Sequence, residues 1–171
     1  MNHSGVMMTE KAYLTTSFEK PCPEFVNGEL EERGLPTFEH GNWILAIAMY
    51  FRQHAEEWSI RVSPELHTWT KEDHWRIPDV AVFERDQPVE ARLTKPPVAV
   101  FEVKSPNQTK ASHYEKFVEY AAMGIPHIWF VDPEDGVLMR WKDGYLQPLP
   151  IFNYQDGRIL FNVDEIKTLL D

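Results

Sequence analysis

The chain has 171 residues, of which 43% are hydrophobic and 13% aromatic, so it can bury a core and is not a disordered chain. Its 27 acidic and 17 basic residues give a formal net charge of −10, which opposes tight binding to a phosphate backbone unless the basic groups gather at one site. The single cysteine, Cys22, excludes an intrachain disulfide, and no apolar run approaches the roughly 18–20 residues of a membrane span. We therefore expect a cytoplasmic protein that does not enter a membrane.

The N-terminal part of the chain has a first segment without hydrophobic periodicity, and a later segment whose periodicity is typical of a helix. Residues 1–20 show no sustained hydrophobic period, so we expect a flexible leader followed by a single domain over residues 21–171. Asn27-Gly28 is a dipeptide favoured in tight hairpin turns. Residues 38–58 predict a helix that Thr37 can cap. The apolar positions of this helix are Ile44, Ile47, Ala48, Phe51, Ala55 and Trp58.

Apolar runs in the middle of the chain predict the strands of a sheet. They lie at 60–69, 77–84, 96–105 and 127–133. The run at 96–105 is almost continuously apolar, which is typical of a central strand covered on both faces. Residues 108–123 predict a helix that ends at Gly124. Its inner stripe is expected to contain Tyr114, Phe117, Val118 and Ala121.

Three Asp-Gly pairs divide the C-terminal part of the chain, at 135–136, 143–144 and 156–157. They predict a meander of hairpins, and residues 163–170 predict a short closing helix. The order of elements predicts an α/β protein of the mixed α+β type. In this fold a central mixed β-sheet is flanked by helices and followed by C-terminal β-hairpins.

Two acidic residues and a lysine lie in or beside the most apolar strands. Side chains alternate along a strand, so Glu102 and Lys104 should project to the same face. Asp79 stands near the start of the 77–84 strand. If that strand is the antiparallel neighbour of the 96–105 strand, Asp79 meets Glu102 and Lys104. Burying unpaired charge is costly, so such a cluster requires an explanation.

A divalent-metal site is one explanation of this cluster. Mg²⁺ prefers oxygen ligands, which Asp79, Glu102 and the backbone carbonyl of Val103 would supply, and Mn²⁺ is an alternative ion. The metal would lower the pKa of a bound water, and Lys104 would stabilise charge in the transition state. A plain ion pair between Glu102 and Lys104, with Asp79 as a turn residue after Pro78, explains the same residues. The spacing alone leaves both interpretations open.

Longer motifs carry a resemblance to a known family. The stretches "RIPDVAVFE", "PPVAVFEVKSPNQTK" and "YEKFVEYAAMGIPHIWFVDP" occur in this order. The chain resembles, over residues 24–146, the Uma-two family of the PD-(D/E)xK restriction-endonuclease-like superfamily. The resemblance implies a restriction-endonuclease-like core and a metal-dependent nuclease site.

The resemblance also implies roles for individual residues. Asp79, Glu102 and Lys104 correspond to the catalytic aspartate, glutamate and lysine positions. Lys116 corresponds to a lysine of the family's downstream helix, although its place on the helical wheel also suits a solvated lysine. Glu29, in "NGEL", and His40, at the start of the long helix, are accessory candidates, for which structural roles remain open.

Three functions fit these observations. The first is an endonuclease that hydrolyses DNA with Mg²⁺, and the second is a non-catalytic binding or assembly protein that keeps the fold. The third is a metal-dependent hydrolase of another substrate.

The nuclease hypothesis also predicts how the protein binds DNA and that it forms a dimer. DNA would bind weakly, or at a locally basic site formed by Arg76, Lys95, Lys104, Lys110 and Lys116. A homodimer is expected because cutting two strands commonly needs two sites. The aromatic-rich hairpins at 128–154 could supply its interface.

Overall fold

The computed structural model describes residues 7–88 and 91–171, and three antiparallel or mixed sheets organise them. The helices are α1 Glu10–Thr15, α2 Phe38–Gln53 and α3 Tyr114–Met123, with 3₁₀ helices at Ala111–His113 and Val163–Leu169. The strands are β1 Glu24–Val26, β2 Glu29–Glu31, β3 Ile60–Pro64, β4 Thr68–Lys71, β5 His74–Arg76, β6 Val80–Glu84, β7 Ala99–Val103, β8 His127–Asp132, β9 Val137–Lys142, β10 Tyr145–Gln147, β11 Ile151–Tyr154 and β12 Ile159–Asn162.

A six-stranded sheet in the order β10-β9-β8-β7-β6-β3 forms the centre of the fold. β7 and β8 run parallel, with α3 between them in the chain, whereas the other neighbours in this sheet run antiparallel. The remaining strands form a four-stranded sheet, β2-β1-β5-β4, and the hairpin β11-β12. The predicted class, a mixed sheet with flanking helices and C-terminal hairpins, is confirmed.

Both faces of the central sheet are covered, which explains the continuous apolar runs of its strands. Along β6, Val80 and Val82 face the cluster under α2, whereas Ala81 and Phe83 face the cluster under α3. Phe51 of α2 is fully buried. Burial of such a ring contributes roughly 1.5–3 kcal/mol.

The predicted hairpin turns are present. At the β1-β2 turn, Asn27 and Gly28 have φ of 51° and 85°, a left-handed pair that Asn-Gly adopts readily. Asp-Gly pairs lie in the β8-β9, β9-β10 and β11-β12 turns. The aromatic side chains of the 128–154 segment mostly enter the core and are not available to a dimer interface: Trp129, Phe130, Trp141 and Phe152 are buried.

Several element boundaries differ from the prediction. α2 ends at Gln53, and turns occupy residues 54–59, although Ala55 and Trp58 are still buried. The 60–69 run divides into β3 and β4, which belong to different sheets. The helix predicted over 108–123 begins as α3 only at Tyr114, and the closing helix is a 3₁₀ helix. In these segments the apolar periodicity predicted which side chains are buried, but it did not predict where the helices begin and end.

The predicted flexible leader contains structure in its described part. Residues 1–6 lie outside the described residues, but α1 begins after Thr9, whose side chain accepts a hydrogen bond from the Ala12 N–H. Tyr13 is buried against Phe25, and its hydroxyl donates to the Pro23 carbonyl. A single buried aromatic side chain therefore anchors this segment. One such residue produces no sustained hydrophobic period in the sequence.

No helix among the described residues is long and apolar enough to cross a membrane.

Candidate active site

Asp79 and Glu102 meet where two neighbouring strands bring their ends together. Asp79 directly precedes β6, and β6 runs antiparallel to β7 with Val80 opposite Phe101, as predicted. The Val103 N–H donates to Asp79 Oδ2 at 2.7 Å. Both carboxylates are buried and line one cavity of about 30 Å³, enough for one or two waters.

Two cationic groups approach the carboxylate of Asp79. Arg33 Nη2 donates to Asp79 Oδ1 at 2.9 Å, and His40 Nε2 lies 3.6 Å from Oδ2. Burial alone would raise the pKa of Asp79. The close approach of His40 and its charge, with Arg33 and the Val103 N–H, hold this pKa below its ordinary value instead. Asp79 is therefore a carboxylate at neutral pH.

Glu102 lies in a less favourable environment for its charge. The Tyr120 hydroxyl donates to Glu102 Oε1 at 2.7 Å, and Lys116 Nζ lies 3.3 Å from Oε2. Burial raises the pKa of Glu102 to about 7, Lys116 opposes the rise, and the nearby charges of Asp79 and Glu24 add to it. Burial is therefore the main reason that Glu102 resists ionisation, and a divalent cation in the cavity would favour its charged form.

Lys116, rather than Lys104, is the lysine of the cavity. Its side chain is 15% exposed, and Nζ lies 2.9 Å from Glu24 as well as 3.3 Å from Glu102. The alternative of a solvated lysine is thus excluded. The predicted inner stripe was mostly wrong, because Tyr114, Val118 and Ala121 are exposed and only Phe117 is buried. A helical wheel cannot identify a buried lysine whose partners come from other elements.

Lys104 is not brought to Asp79 and Glu102. Its Nζ lies 3.1 Å from Asp132 and 3.2 Å from Glu134, and its side chain lines a separate cleft of about 280 Å³. The register of β7 and β8 pairs Val103 with Val131, so the next residues, Lys104 and Asp132, lie side by side. The parallel neighbour β8, whose end the sequence pattern could not place, provides the acid that holds Lys104.

Of the two other accessory candidates, His40 belongs to the cavity and Glu29 does not. His40 lines the cavity, and its Nδ1 is buried with no hydrogen-bond partner in the described part of the chain. Glu29 is exposed on β2, opposite Val26, and is not among the residues that line the cavity. We refer to Arg33, His40, Asp79, Glu102 and Lys116 as the pocket cluster.

Glu24 is a buried acid that sequence reasoning missed. Its Oε1 lies 2.9 Å from Lys116 Nζ and accepts the Ile77 N–H at 2.9 Å, while its Oε2 accepts from Arg76. It therefore links the lysine of the pocket cluster to the segment that leads into Asp79. The available signal was an acid directly before the apolar pair Phe25-Val26, in a strand of three residues.

Arg76 does not contribute to a basic surface, contrary to the prediction. It is 1% exposed and donates two hydrogen bonds to Glu119, at 2.6 and 2.9 Å, and one each to Glu24 and Glu31. Thr70 also donates to Glu119. We refer to these five residues as the Arg76 cluster.

The predicted local basic site is therefore mostly neutralised. Arg76, Lys104 and Lys116 are paired with carboxylates, whereas Lys95 is exposed and Lys110 half-buried.

The donor set of the cavity fits a divalent cation that uses few protein ligands. Among the residues that the structure describes, no three His, Cys, Asp or Glu side chains are grouped as a complete metal site. Mg²⁺, however, usually takes one or two carboxylates and completes its shell with water and substrate phosphate. Asp79 and Glu102, which face one small polar cavity, meet that requirement.

Comparison with known proteins places the chain in a family. The Uma2 family model, described as "Putative restriction endonuclease", matches residues 13–163. The chain belongs to this family, which confirms the resemblance and extends it beyond residues 24–146. A search of curated proteins finds no match.

A solved structure from Anabaena variabilis ATCC 29413 has a similar fold. It is described as "a putative nuclease belonging to DUF820" and superposes with a TM-score of 0.79. The alignment covers 96% of this chain and 99% of that chain at 16% sequence identity. At this identity the likeness establishes the shared fold.

Proposed function

We propose that this protein is a metal-dependent endonuclease that hydrolyses DNA phosphodiester bonds. The observation that carries the proposal is the convergence of two buried carboxylates, Asp79 and Glu102, on one polar cavity beside the ammonium of Lys116. Membership of a family described as "Putative restriction endonuclease" supports the choice of DNA as substrate.

Asp79, Glu102 and the Val103 carbonyl would hold Mg²⁺, or Mn²⁺ in its place. When bound, such an ion supplies a water of lowered pKa and polarises a phosphoryl oxygen. Asp79 is suited to this role because its low pKa keeps it ionised. Tyr120 orients Glu102 by donating to Oε1.

Lys116 is proposed as the catalytic cation in place of Lys104. Burial alone would lower the pKa of Lys116, but the charges of Glu102 and Glu24 raise it above its ordinary value. The group therefore stays an ammonium and donates to a developing negative charge, rather than accepting a proton. Glu24 keeps Lys116 directed into the cavity by its contact at 2.9 Å.

The proposed DNA binding is weak and sensitive to salt. The formal charge of −10 repels a polyanion, and the pairing of Arg76, Lys104 and Lys116 leaves Lys95 and Lys110 of the predicted basic site for phosphate contacts. A homodimer and a cytoplasmic location belong to the same proposal and rest on the sequence arguments alone.

A non-catalytic binding or assembly protein is the second candidate. Asp79 and Glu102 already pair with Arg33, His40 and Lys116, and the cavity of about 30 Å³ is too small for a nucleotide. Under this hypothesis the pocket cluster only stabilises the fold.

A cleavage assay with matched variants separates the two candidates. Wild-type protein, Asp79→Asn and the exposed-turn control Asp135→Asn are incubated with supercoiled and linear duplex DNA, with Mg²⁺, Mn²⁺ or a chelator. We expect cleavage by wild type and Asp135→Asn, and none by Asp79→Asn or with chelator, while circular dichroism shows all three folded. Cleavage that persists in Asp79→Asn contradicts the proposal, and no cleavage by any protein favours the second candidate.

A further inference from the structure

We propose that Arg33 is a built-in competitor of the divalent cation, which holds Asp79 until a metal displaces it. The inference rests on the proposed function, because it concerns the same carboxylate. It assigns a role to a residue that neither the motifs nor the family resemblance indicated.

The two oxygens of Asp79 are held in different ways. Oδ2 accepts the Val103 N–H at 2.7 Å, and this donor is fixed by the backbone of β7. Oδ1 accepts from the side chain of Arg33 at 2.9 Å. A new ligand can therefore bind Oδ1 without breaking the contact between Asp79 and the backbone of β7. A metal bound there must replace the guanidinium, since the two cations would repel each other at this distance.

Arg33 has a second partner that makes displacement feasible. Its Nη1 donates to Glu65 Oε1 at 2.9 Å, and Glu65 is partly exposed and also paired with Lys20. The guanidinium can therefore release Asp79 while it keeps Glu65. Losing one of two ion pairs costs much less than transferring an unpaired guanidinium into the protein interior.

The backbone around Arg33 keeps the guanidinium close to the cavity. Residues 32–37 have no regular secondary structure and connect β2 to α2. A Cβ at Gly34 would lie 2.9 Å from both Cβ and Oγ of Ser105, so only glycine allows this close approach without a shift. The connection therefore rests directly on the segment after β7, and Arg33 exchanges partners by side-chain rotation.

Arg33 lies at the cavity and can exchange partners, whereas Arg76 does neither. Arg76 is enclosed by Glu24, Glu31 and Glu119 and is not among the residues that line the cavity. Arg33 lines the cavity and shares Asp79 with His40. Of these two arginines, Arg33 is the one that a cation entering the cavity can displace.

Titration with Mn²⁺ of purified protein by calorimetry tests this proposal. The variants are Arg33→Gln and Arg33→Lys, and the control is Arg85→Gln, which removes a surface arginine bonded to Glu56 and the Ala55 carbonyl. We expect Arg33→Gln to bind Mn²⁺ about tenfold more tightly than wild type, which corresponds to removal of one competing ion pair. The Mn²⁺ affinity of Arg33→Lys should lie between those of wild type and Arg33→Gln, because an ammonium cannot bridge Asp79 and Glu65 as a guanidinium does. Arg85→Gln should match wild type within about twofold.

The outcomes separate this inference from the proposed function. Mn²⁺ binding that is unchanged or weaker in Arg33→Gln overturns the competition and leaves the metal site standing. Absence of Mn²⁺ binding in wild type and in both Arg33 variants overturns the metal site and the competition together. If Arg33→Gln does not fold, Arg33→Lys keeps the charge and decides the question by the direction of its change in affinity.

Discussion

Two buried glutamates, Glu102 in the pocket cluster and Glu119 in the Arg76 cluster, are equally hidden from solvent but differ in charge. Their exposed fractions are 3% and 4%. Burial would raise both pKa values, yet the bidentate guanidinium of Arg76 lowers the pKa of Glu119, whereas the pKa of Glu102 rises to about 7. Glu102 has one ammonium at 3.3 Å, which it shares with Glu24.

This difference shows that burial of charge alone does not identify a functional site. The Arg76 cluster satisfies its carboxylates within the protein, as expected for a structural network. The pocket cluster lines a cavity, and burial raises the pKa of its Glu102, as expected for a site where a bound cation would favour the charged carboxylate. The predictions below test this division of roles.

The largest effect is expected from removing the central cation of the Arg76 cluster. Arg76→Met leaves Glu24 and Glu119 buried without their guanidinium, so we expect unfolding free energy to fall by about 3–5 kcal/mol. Urea denaturation followed by fluorescence measures this loss. A change below about 1 kcal/mol, within the range of a surface ion pair, would show that the Arg76 cluster is not structural.

A smaller effect, measured as a change in activity, is expected from the two lysines. Lys116→Met should lower the rate of DNA cleavage by about 100-fold, because it removes the ammonium beside Glu102. Lys104→Met serves as the matched control and should keep the rate within about threefold. Single-turnover cleavage rates under saturating Mn²⁺ provide the measurement. A larger loss in Lys104→Met than in Lys116→Met would reinstate Lys104 as the catalytic lysine.

Local pattern and family resemblance predicted much of the fold and named four of the five residues of the pocket cluster as candidates, all except Arg33. The adjacency of β6 and β7 followed from two apolar runs joined by a polar loop, and it brought Asp79 to Glu102 as expected. The Asn-Gly and Asp-Gly turns were equally informative, because their left-handed conformations restrict the residues that fit.

The remaining site residues depend on contacts that are distant in the sequence. Strand alternation predicted that Lys104 lies beside Glu102 on one face, but the end of β8 places Asp132 beside Lys104. Arg33 lies in an irregular connection without periodicity, and Glu24 in a strand of three residues. Such residues acquire their role only when the sheets assemble.

The central claim, that the pocket cluster and not the Arg76 cluster binds a divalent cation, is tested most directly by Mn²⁺ titration of two glutamine variants. Glu102→Gln removes a pocket carboxylate whose raised pKa indicates that a neutral isostere will fold. Glu31→Gln removes the half-exposed acid of the Arg76 cluster. We predict that Mn²⁺ binds to wild type and to Glu31→Gln with the same affinity and that Glu102→Gln abolishes binding. Equal binding by Glu102→Gln and wild type, with all proteins folded, would contradict the account.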